Sequence, residues 1–328
     1  MTEAEIYEYR IQQQIELVWE ELKVLKPVLD DGGLTDIMVN QNGRVFTDGI
    51  YGMNPTETYI DEHIKGRMAA LLASYNKKTL SEENPILSGK LPSGERIEIV
   101  TGEATGFRST ISIRKPNKRI ITLDEYVQMG SMRKEQKEYL ENAVNESKNI
   151  VMFGGTGTGK TTSINSLINV LKGTSERIAV VEEVSELIIN PEEIQNLIRY
   201  ITTVHVSASQ ILKSLMRQRP DRIIFGELRK GEEVETLLDG WNTGHKGGMT
   251  SNHANSAQDG LHRLSELLTE VPGKSEPRPY MVARGVDVAI HIRREKQDNG
   301  RWRRFIDEIL EIEGYNKNTQ DFIYKEAV

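Results

Sequence analysis

The chain has 328 residues, which is enough for two domains, and its 37% hydrophobic content is typical of a globular protein. Its formal net charge of −7 excludes a general electrostatic attraction to nucleic acid or anionic lipid, and the absence of cysteine excludes disulfides and thiolate metal sites. The polar start is not a secretory signal, and no apolar run approaches the roughly 20 residues that span a bilayer, so we expect a cytoplasmic protein.

The first 118 residues predict an α+β domain. Apolar residues at intervals of three and four near the start indicate an amphipathic helix that ends at Pro27. The stretch LTDIMVNQNGRVFTDGIYGM then indicates short strands with a tight turn at Asn42 and Gly43, and a helical stretch follows around 64–75. Two further strands, GERIEIV and STISIRK, complete a domain that we place at residues 1–118.

A polar stretch broken at Pro116 and Gly130, with one short helix, predicts the connection between two domains. We place this linker at residues 119–133 and the second domain at residues 134–328. Helix and strand patterns alternate in the second domain, where the strands NIVMFGG, RIAVVEE and DRIIFGEL predict a parallel sheet with helices on both faces. The end of the chain, from DVAIHIRRE to DFIYKEA, predicts an antiparallel edge of hairpins.

The stretch FGGTGTGKTTSINSL, residues 153–167, predicts a phosphate-binding loop. Gly154, Gly159, Lys160 and Thr161 have the spacing of a P-loop, between an apolar strand and an amphipathic helix. Glycines let backbone N–H groups surround an anion, and the helix N-terminus adds partial positive charge. We expect Lys160 to reach the β- and γ-phosphates of a nucleotide and the Thr161 hydroxyl to ligate Mg²⁺. The predicted phosphate contacts are Gly155, Thr156, Gly157, Thr158, Gly159, Lys160, Thr161 and Thr162.

Two predicted strands end in acids, and such acids order the metal shell or the attacking water beside a P-loop. Glu182 and Glu183 end one strand, and Glu227 ends the other. Because the strand before Glu227 is apolar, a parallel sheet would carry this acid out at its carboxyl edge. We assign Glu227 to polarising the water, through which it also reaches the metal, and Glu182 and Glu183 to holding metal-bound water.

The stretch WNTGHKGGMTSNHANS, residues 241–256, joins a helical run to a short strand that ends at His253. An imidazole at this edge can contact the γ-phosphate and report whether it is present. Metal ligation is not expected, because His245 and His253 do not have helical spacing and no cysteine assists them. A lone histidine is by default a structural residue, and this alternative stays open.

Four stretches, GGTGTGKTT, RIAVVEEVSEL, RQRPDRIIFGELRKGEE and WNTGHKGGMTSNHAN, follow the order and approximate spacing of the nucleotide motifs of the bacterial secretion (traffic) ATPases. The chain most resembles the branch that serves type IV secretion and conjugal DNA transfer. The resemblance implies an α/β fold, with an N-terminal α+β sensor-like domain followed by a RecA-like P-loop NTPase domain. It also implies a homohexameric ring that binds ATP and Mg²⁺.

The resemblance further implies roles by matching position. Glu183 falls in the Asp box, Glu227 is the Walker B glutamate, and His253 is the His-box histidine. The family usually has Glu-Asp where this chain has Glu182 and Glu183, and it usually has threonine where this chain has Ser251. The longer glutamate can still reach a metal-bound water, and the serine keeps a hydroxyl.

Arginines of the N-terminal domain reach the nucleotide phosphates in this family, and Arg96 and Arg114 stand where that pattern places them. A bidentate cation stabilises the charge that develops in phosphoryl transfer. The alternative for either residue is a surface arginine on a strand. Arg217, Arg219 and Arg229 are near the site by sequence and are candidates to face a neighbouring subunit.

A run of basic residues lies near the C-terminus. It is interleaved with acids, so we interpret it as a solvated hairpin rather than a contact with nucleic acid or lipid. The run consists of Arg293, Arg294, Lys296, Arg301, Arg303 and Arg304.

The sequence thus predicts a Mg²⁺-dependent ATPase whose ring motion powers assembly or substrate transfer in a type IV secretion or conjugation apparatus. The expected partners are further copies of the chain and inner-membrane components, with peripheral membrane contact only and no direct nucleic-acid binding. The predicted catalytic residues are Glu227, Lys160, Glu183, His253 and Arg114, and Arg96 is a further phosphate contact.

Other functions share part of this pattern. An ATPase of pilus assembly or type II secretion would carry similar motifs, and a RecA-like nucleic-acid motor would show a basic channel and stimulation by single strands. A GTPase usually needs an acid that NKNT at 316–319 lacks, and a small-molecule kinase is a related alternative. A scaffold that binds ATP without hydrolysing it is opposed by the intact Lys160, Thr161 and Glu227.

Overall fold

The computed structural model describes residues 2–49, 52–115, 119–203, 205–273, 278–298 and 302–328. Its contacts divide the chain into two units, Met1–Lys118 with Lys296–Trp302, and Arg119–Glu295 with Arg303–Val328. The predicted first boundary falls at the same residue, whereas the stretch predicted as a separate linker groups with the second unit. The domain limits stay a prediction, since contacts do not show whether each part folds alone. Residues 50, 51, 116–118 and 299–301, which belong to stretches discussed above, lie outside the described residues.

The first unit contains an antiparallel sheet. Its strands are β1 (Leu34–Val39), β2 (Arg44–Gly49), β3 (Asn54–Tyr59), β4 (Ile86–Lys90), β5 (Arg96–Val100) and β6 (Thr110–Arg114). Its helices are α1 (Glu3–Glu21), α2 (Lys26–Asp30) and α3 (Glu62–Tyr75), with 3-10 turns at Leu22–Leu25 and Glu103–Thr105. The strands lie in the order β3-β2-β1-β6-β5-β4, and neighbouring strands are antiparallel.

The first helix differs in its end from the prediction. The α-helix stops at Glu21, a 3-10 turn follows, and Pro27 lies in the first turn of α2, where its missing N–H costs no hydrogen bond. Val18, Leu22 and Leu25 along this segment are buried in the core of the sheet domain. The predicted turn joins β1 to β2, with the Gly43 N–H donating to Asn40 O at 2.9 Å.

The second unit is built on a larger sheet. Its strands are β7 (Ile150–Phe153), β8 (Ile178–Glu182), β9 (Leu197–Ile201), β10 (Arg222–Phe225), β11 (Met249–Asn252), β12 (Val288–Lys296), β13 (Trp302–Asn316) and β14 (Asp321–Glu326). Its helices are α4 (Leu123–Gln128), α5 (Lys134–Asn145), α6 (Lys160–Asn169), α7 (Ala208–Leu215), α8 (Gly231–Asn242), α9 (Ala257–Leu267) and α10 (Pro279–Gly285), with a 3-10 turn at Leu268–Glu270.

The strands of this sheet lie in the order β14-β13-β12-β7-β11-β10-β8-β9. Strands β12 to β9 in that order are parallel, so the predicted parallel sheet and the predicted α/β fold class are confirmed. Alternate residues of β7 enter two separate hydrophobic cores, one on each face of the sheet.

The predicted antiparallel edge is confirmed for β13 and β14, and β12 lies between β13 and β7, where its pairing with β7 was not predicted. β12 pairs in parallel with β7, because Val288 lies opposite Ile150 and His291 lies opposite Phe153. Its fully buried first five residues suit a strand inside a parallel sheet rather than an exposed hairpin. Among the described residues, no helix has both the length and the hydropathy needed to cross a membrane.

Candidate active site

Four neighbouring parallel strands, β7, β11, β10 and β8, end at one edge of the larger sheet. The P-loop follows β7, His253 follows β11, Glu227 follows β10 by two residues, and Glu183 follows β8. Parallel strands present their carboxyl ends at the same edge, which is where ligands bind in open α/β sheets. Side chains from four separate stretches of sequence therefore meet at this edge.

The P-loop owes its shape to glycines that no larger residue could replace. A Cβ added at Gly154 would lie 2.4 Å from the backbone oxygen of Ile292 on β12. Gly159 has φ +101° and forms the N-cap of α6, a conformation that L-residues with side chains rarely adopt. The chain thus turns directly from a buried strand into a helix whose first N–H groups face the loop.

Lys160 is 7% exposed and its ammonium group lies inside the loop. Its Nζ donates to Gly154 O at 2.9 Å and to Gly155 O at 3.1 Å, and it lies 3.2 Å from His253 Nδ1. An ammonium group has donors only, so Nδ1 of His253 accepts this hydrogen bond. The other imidazole nitrogen, Nε2, then carries the proton.

That proton points at Glu227, the predicted Walker B acid. His253 Nε2 lies 2.8 Å from Glu227 Oε1, so the imidazole links Lys160 to Glu227. The second oxygen of Glu227 accepts from Arg229 Nε at 2.9 Å, and Arg229 Nη1 reaches Glu183 Oε2 at 2.7 Å. These contacts link five side chains in series, which we call the edge cluster: Lys160, His253, Glu227, Arg229 and Glu183.

Glu182, the other acid of the Asp box, lies in a different environment. It is 2% exposed, and its Oε1 accepts from the backbone N–H groups of Glu186 and Leu187 at 2.8 and 2.7 Å. Its Oε2 accepts from Arg199 Nε and Nη2 at 3.0 and 2.6 Å. Because both oxygens already accept two hydrogen bonds, these contacts favour Glu183 over Glu182 for holding metal-bound water; the role of each acid stays a prediction.

The remaining predicted phosphate contacts lie along the same loop and the first turn of α6. Gly155, Thr156 and Gly157 are exposed, and Thr161 and Thr162 are half-buried. The Thr158 side chain is buried instead, and its hydroxyl donates to Gly155 O at 2.9 Å. Thr158 thus closes the loop, while the backbone around it is open to a ligand.

Arg96 and Arg114 belong to the first unit, where they are direct cross-strand partners on β5 and β6. Lys90 on β4 lies opposite Arg96, and Asp36 on β1 lies opposite Arg114. Like charges directly opposite one another on a sheet are destabilising unless an anion compensates for them. Asp36 already places a compensating anion beside Arg114, so this row of charges leaves the contact of Arg96 and Arg114 with phosphate a prediction.

Arg217 and Arg219 lie away from the edge cluster of their own subunit, and their contact with a neighbouring subunit stays a prediction. Arg217 and Arg219 precede β10, whereas Glu227 follows it, so they lie at the opposite end of that strand from the edge cluster. Although Arg217 and Arg219 are close to Glu227 in sequence, the length of β10 separates them from it within one subunit. His245 is structural: its Nδ1 lies 2.7 Å from Pro220 O.

The basic run near the C-terminus contains a contact that sequence analysis missed. Arg304 Nε donates to Gly157 O at 2.9 Å, and a Cβ at Gly157 would lie 2.9 Å from Arg294 Nη1. Arg293 and Arg303 instead pair with acids of the same hairpin, as the prediction of a solvated hairpin requires. No local signal marks Arg304, because its partner lies 147 residues away in the chain.

The stretch that was predicted as a linker also touches the P-loop helix. Tyr126 on α4 lies 3.0 Å from the Ser163 hydroxyl on α6, and both side chains are buried. Burial raises the pKa of Tyr126, although its bond to Ser163 acts in the opposite direction. The phenol therefore stays neutral and keeps α4 fixed on the helix that begins at Lys160.

A P-loop joined to strand-end acids and a histidine at one sheet edge defines a P-loop ATPase of the secretion class. The chain belongs to the Type II/IV secretion system protein family, whose model matches residues 20–304. It is 36% identical over 302 residues to the conjugal transfer protein TrbB of Rhizobium radiobacter, covering 88% of this chain and 87% of that one. It is 30% identical over 307 residues to the type IV secretion system protein VirB11 of Bartonella henselae, covering 80% and 83%.

The solved structures agree at the level of the fold. The ATPase DotB of Legionella pneumophila matches 96% of this chain and 82% of its own, with a TM-score of 0.62 and 16% identity. The family and the enzyme class predicted from the sequence, a secretion ATPase of the type IV branch, are confirmed. Membership in this family implies nucleotide binding.

Proposed function

We propose that the chain hydrolyses ATP with Mg²⁺ as a ring of six copies, and that the ring powers assembly or substrate transfer in a conjugation or type IV secretion apparatus. One observation carries the proposal: Lys160 in the P-loop is connected through His253 to Glu227. This connection joins the residue that would hold the terminal phosphates to the acid that would polarise the attacking water.

The donors at the sheet edge fit Mg²⁺. Among the described residues, no group of three His, Cys, Asp or Glu side chains could hold a metal ion by itself. Mg²⁺ in nucleotide enzymes does not need such a group, because one or two protein oxygens, water and phosphate complete its octahedron. The Thr161 hydroxyl would bind it directly, with Glu183 and Glu227 acting through water, and the ion would neutralise charge on the phosphates.

Lys160, Glu227 and His253 of the edge cluster would each have a separate role in hydrolysis. Lys160 would exchange its two carbonyl contacts for phosphate oxygens, which are stronger partners for an ammonium group. Glu227 would orient and polarise water, and His253, bound to both residues, would connect the phosphate to that acid. Arg96 and Arg114 would add positive charge in the transition state.

Phosphate release from ATP by the purified chain tests the enzymatic part. We expect Lys160→Ala to reduce turnover at least about a hundredfold, because the P-loop then lacks the buried ammonium group that would bind the phosphates. Circular dichroism of both proteins checks that the variant is folded. A folded Lys160→Ala protein that hydrolyses ATP at the wild-type rate would contradict the proposal.

Light scattering tests the ring. Glu227→Gln keeps the shape of the side chain and should trap the loaded state, so a mass near six times 37.2 kDa is expected with Mg-ATP. A particle that remains at 37.2 kDa with nucleotide bound would contradict an intrinsic hexamer.

The proposed cellular role is supported by the relatives, which include the conjugal transfer protein TrbB described above. We place the chain in the cytoplasm, in peripheral contact with inner-membrane components of such an apparatus. Replacing the wild-type allele by Lys160→Ala in the native host should abolish transfer or secretion, while a wild-type transfer frequency would contradict this role.

A further inference from the structure

Arg229 connects the two acids of the edge cluster. Its Nε and Nη2 both approach Glu227 Oε2, and its Nη1 lies 2.7 Å from Glu183 Oε2. The backbone around it is fixed, because the N–H groups of Arg229 and Lys230 donate to Glu233 Oε2 at 2.9 and 3.1 Å. The guanidinium group therefore bridges two carboxylates that follow different strands, and the main chain of Arg229 is anchored just before α8.

At Glu227, Arg229 contacts the carboxylate oxygen that is left for a divalent cation. Oε1 of Glu227 is engaged by His253, so Oε2 is the oxygen left for a metal shell, and it is the oxygen that Arg229 contacts. Two unscreened carboxylates this close would repel each other and any triphosphate beside them. Although burial opposes the charged guanidinium, its hydrogen bond to Glu227 and the charges of Glu227, Glu183 and Glu186 raise the pKa of Arg229 above its ordinary value.

The side chain can also leave without cost to the core. It is 50% exposed, whereas Arg199, which pairs with the buried Glu182, is 28% exposed. A long arginine side chain anchored at its main chain and half in water can change rotamer while its backbone stays in place. No buried group would lose a partner if Arg229 turned outward, because Glu183 and Glu227 are themselves 36% and 21% exposed.

We propose that Arg229 and Mg²⁺ are alternative cations for Glu183 and Glu227, so that the metal-loaded site forms only when Arg229 leaves these acids. This inference rests on the proposed function, since it concerns the same nucleotide site. Arg229 screens the acids when metal is absent and competes with the metal when it is present. It thereby reduces the difference in affinity between metal-free ATP and Mg-ATP.

The test compares the dissociation constants of a fluorescent, non-hydrolysable ATP analogue in Mg²⁺ and in EDTA. Arg229→Ala should raise the ratio of the EDTA constant to the Mg²⁺ constant about tenfold, because metal-free nucleotide then meets two unscreened acids. Arg229→Lys should raise it less, since a lysine keeps the charge but cannot bridge both carboxylates. Arg263→Ala is the matched control: that side chain is also 50% exposed and ion-paired, on α9, and its ratio should equal the wild-type ratio.

The outcomes separate this inference from the proposed function. If the Arg229→Ala ratio stays within about twofold of wild type, Arg229 does not compete with the metal. If the ratio falls because Mg-ATP binding is lost, Arg229 serves the loaded site, and the inference is overturned while the ATPase stands. If wild type binds the analogue in neither buffer, the proposed function fails and the inference fails with it. If Arg229→Ala does not fold, the ratio of the EDTA constant to the Mg²⁺ constant is compared between Arg229→Lys and Arg263→Lys instead.

Discussion

Two pairs of glutamate and arginine at one sheet edge differ in almost every physical respect, although Glu182 and Glu183 are adjacent in sequence. In the buried cluster, which we define as Glu182, Arg199 and the N–H groups of Glu186 and Leu187, the carboxylate is 2% exposed. In the edge cluster, Glu183 and Arg229 are 36% and 50% exposed. Glu182 is the last residue of β8 and Glu183 is the first residue after it, so one step past the end of the strand separates an acid that holds the fold from one that can exchange partners.

The comparison teaches how to distinguish structure from function where both use ion pairs. A buried carboxylate with both oxygens satisfied loses stability if it changes partner, so it cannot take part in a cycle of binding and release. An exposed acid held by a half-exposed arginine can exchange that arginine for another cation at little cost. Changes to the two clusters should therefore separate loss of activity from loss of stability.

The largest effect is expected at Glu227 of the edge cluster. Glu227→Gln should reduce ATP turnover by about 10³, because the amide cannot polarise water as the carboxylate does. Glu311→Gln is a matched control, since Glu311 is also ion-paired and 23% exposed against 21% for Glu227. The rate of phosphate release is measured for both variants. Similar rates in the two would show that the Glu227 carboxylate has no special role in turnover.

Arg199 should have the largest effect on stability. Arg199→Ala leaves the buried Glu182 carboxylate without its cation and should lower the free energy of unfolding by about 3 kcal/mol. Arg229→Ala, the equivalent change in the edge cluster, should lower it by less than about 1 kcal/mol. Urea denaturation followed by circular dichroism compares them, and equal losses would remove the distinction between the clusters.

Glu183 should have a smaller effect on rate. Glu183→Gln should lower turnover about tenfold and raise the Mg²⁺ concentration for half-maximal activity, because the acid acts on the metal through water. Glu193→Gln is the control, since Glu193 is ion-paired to Lys172 and 38% exposed against 36% for Glu183. An unchanged metal requirement in Glu183→Gln would contradict its proposed role.

The smallest effect concerns an ion pair that belongs to neither cluster. The hydrogen bond from Lys148 is the largest effect on Glu311 and holds its pKa below the ordinary value of 4.5. Burial acts in the opposite direction and is the second largest effect. A lowered pKa in the folded state means that the stabilisation is complete above 4.5 and is lost as the pH falls through the folded pKa.

Wild type should therefore exceed Glu311→Gln in free energy of unfolding by up to about 1 kcal/mol at neutral pH. This difference in the free energy of unfolding should disappear in acid. Urea denaturation midpoints of both proteins at several pH values measure it. A difference that persists below the folded pKa would show that packing, rather than charge, is responsible.

The sequence identifies the P-loop, the sheet edge and the acids, because each depends on local pattern. Strands such as β7, β8 and β10 are short apolar runs, and the groups after them share an edge by the geometry of parallel strands. The exception is β12, whose apolar start resembled the hairpin strands that follow it and gave no sign of parallel pairing with β7.

Pairings between distant residues could not be predicted. Nothing in the sequence shows that Arg199 goes to Glu182 or that Arg229 goes to Glu183, since both acids stand beside each other and each arginine lies on another element. The same applies to Arg304 and Gly157. These choices depend on which side of a strand a residue faces and on the order of the strands in the sheet, and both emerge only with the tertiary fold.

The most direct test of this account measures turnover and the free energy of unfolding together for Glu227→Gln and Glu182→Gln. We predict that Glu227→Gln loses turnover and keeps wild-type stability. Glu182→Gln should lose about 2 kcal/mol of stability while its folded fraction hydrolyses ATP at nearly the wild-type rate. If Glu182→Gln abolishes hydrolysis without loss of stability, or Glu227→Gln unfolds the chain, the division between the buried cluster and the edge cluster is wrong.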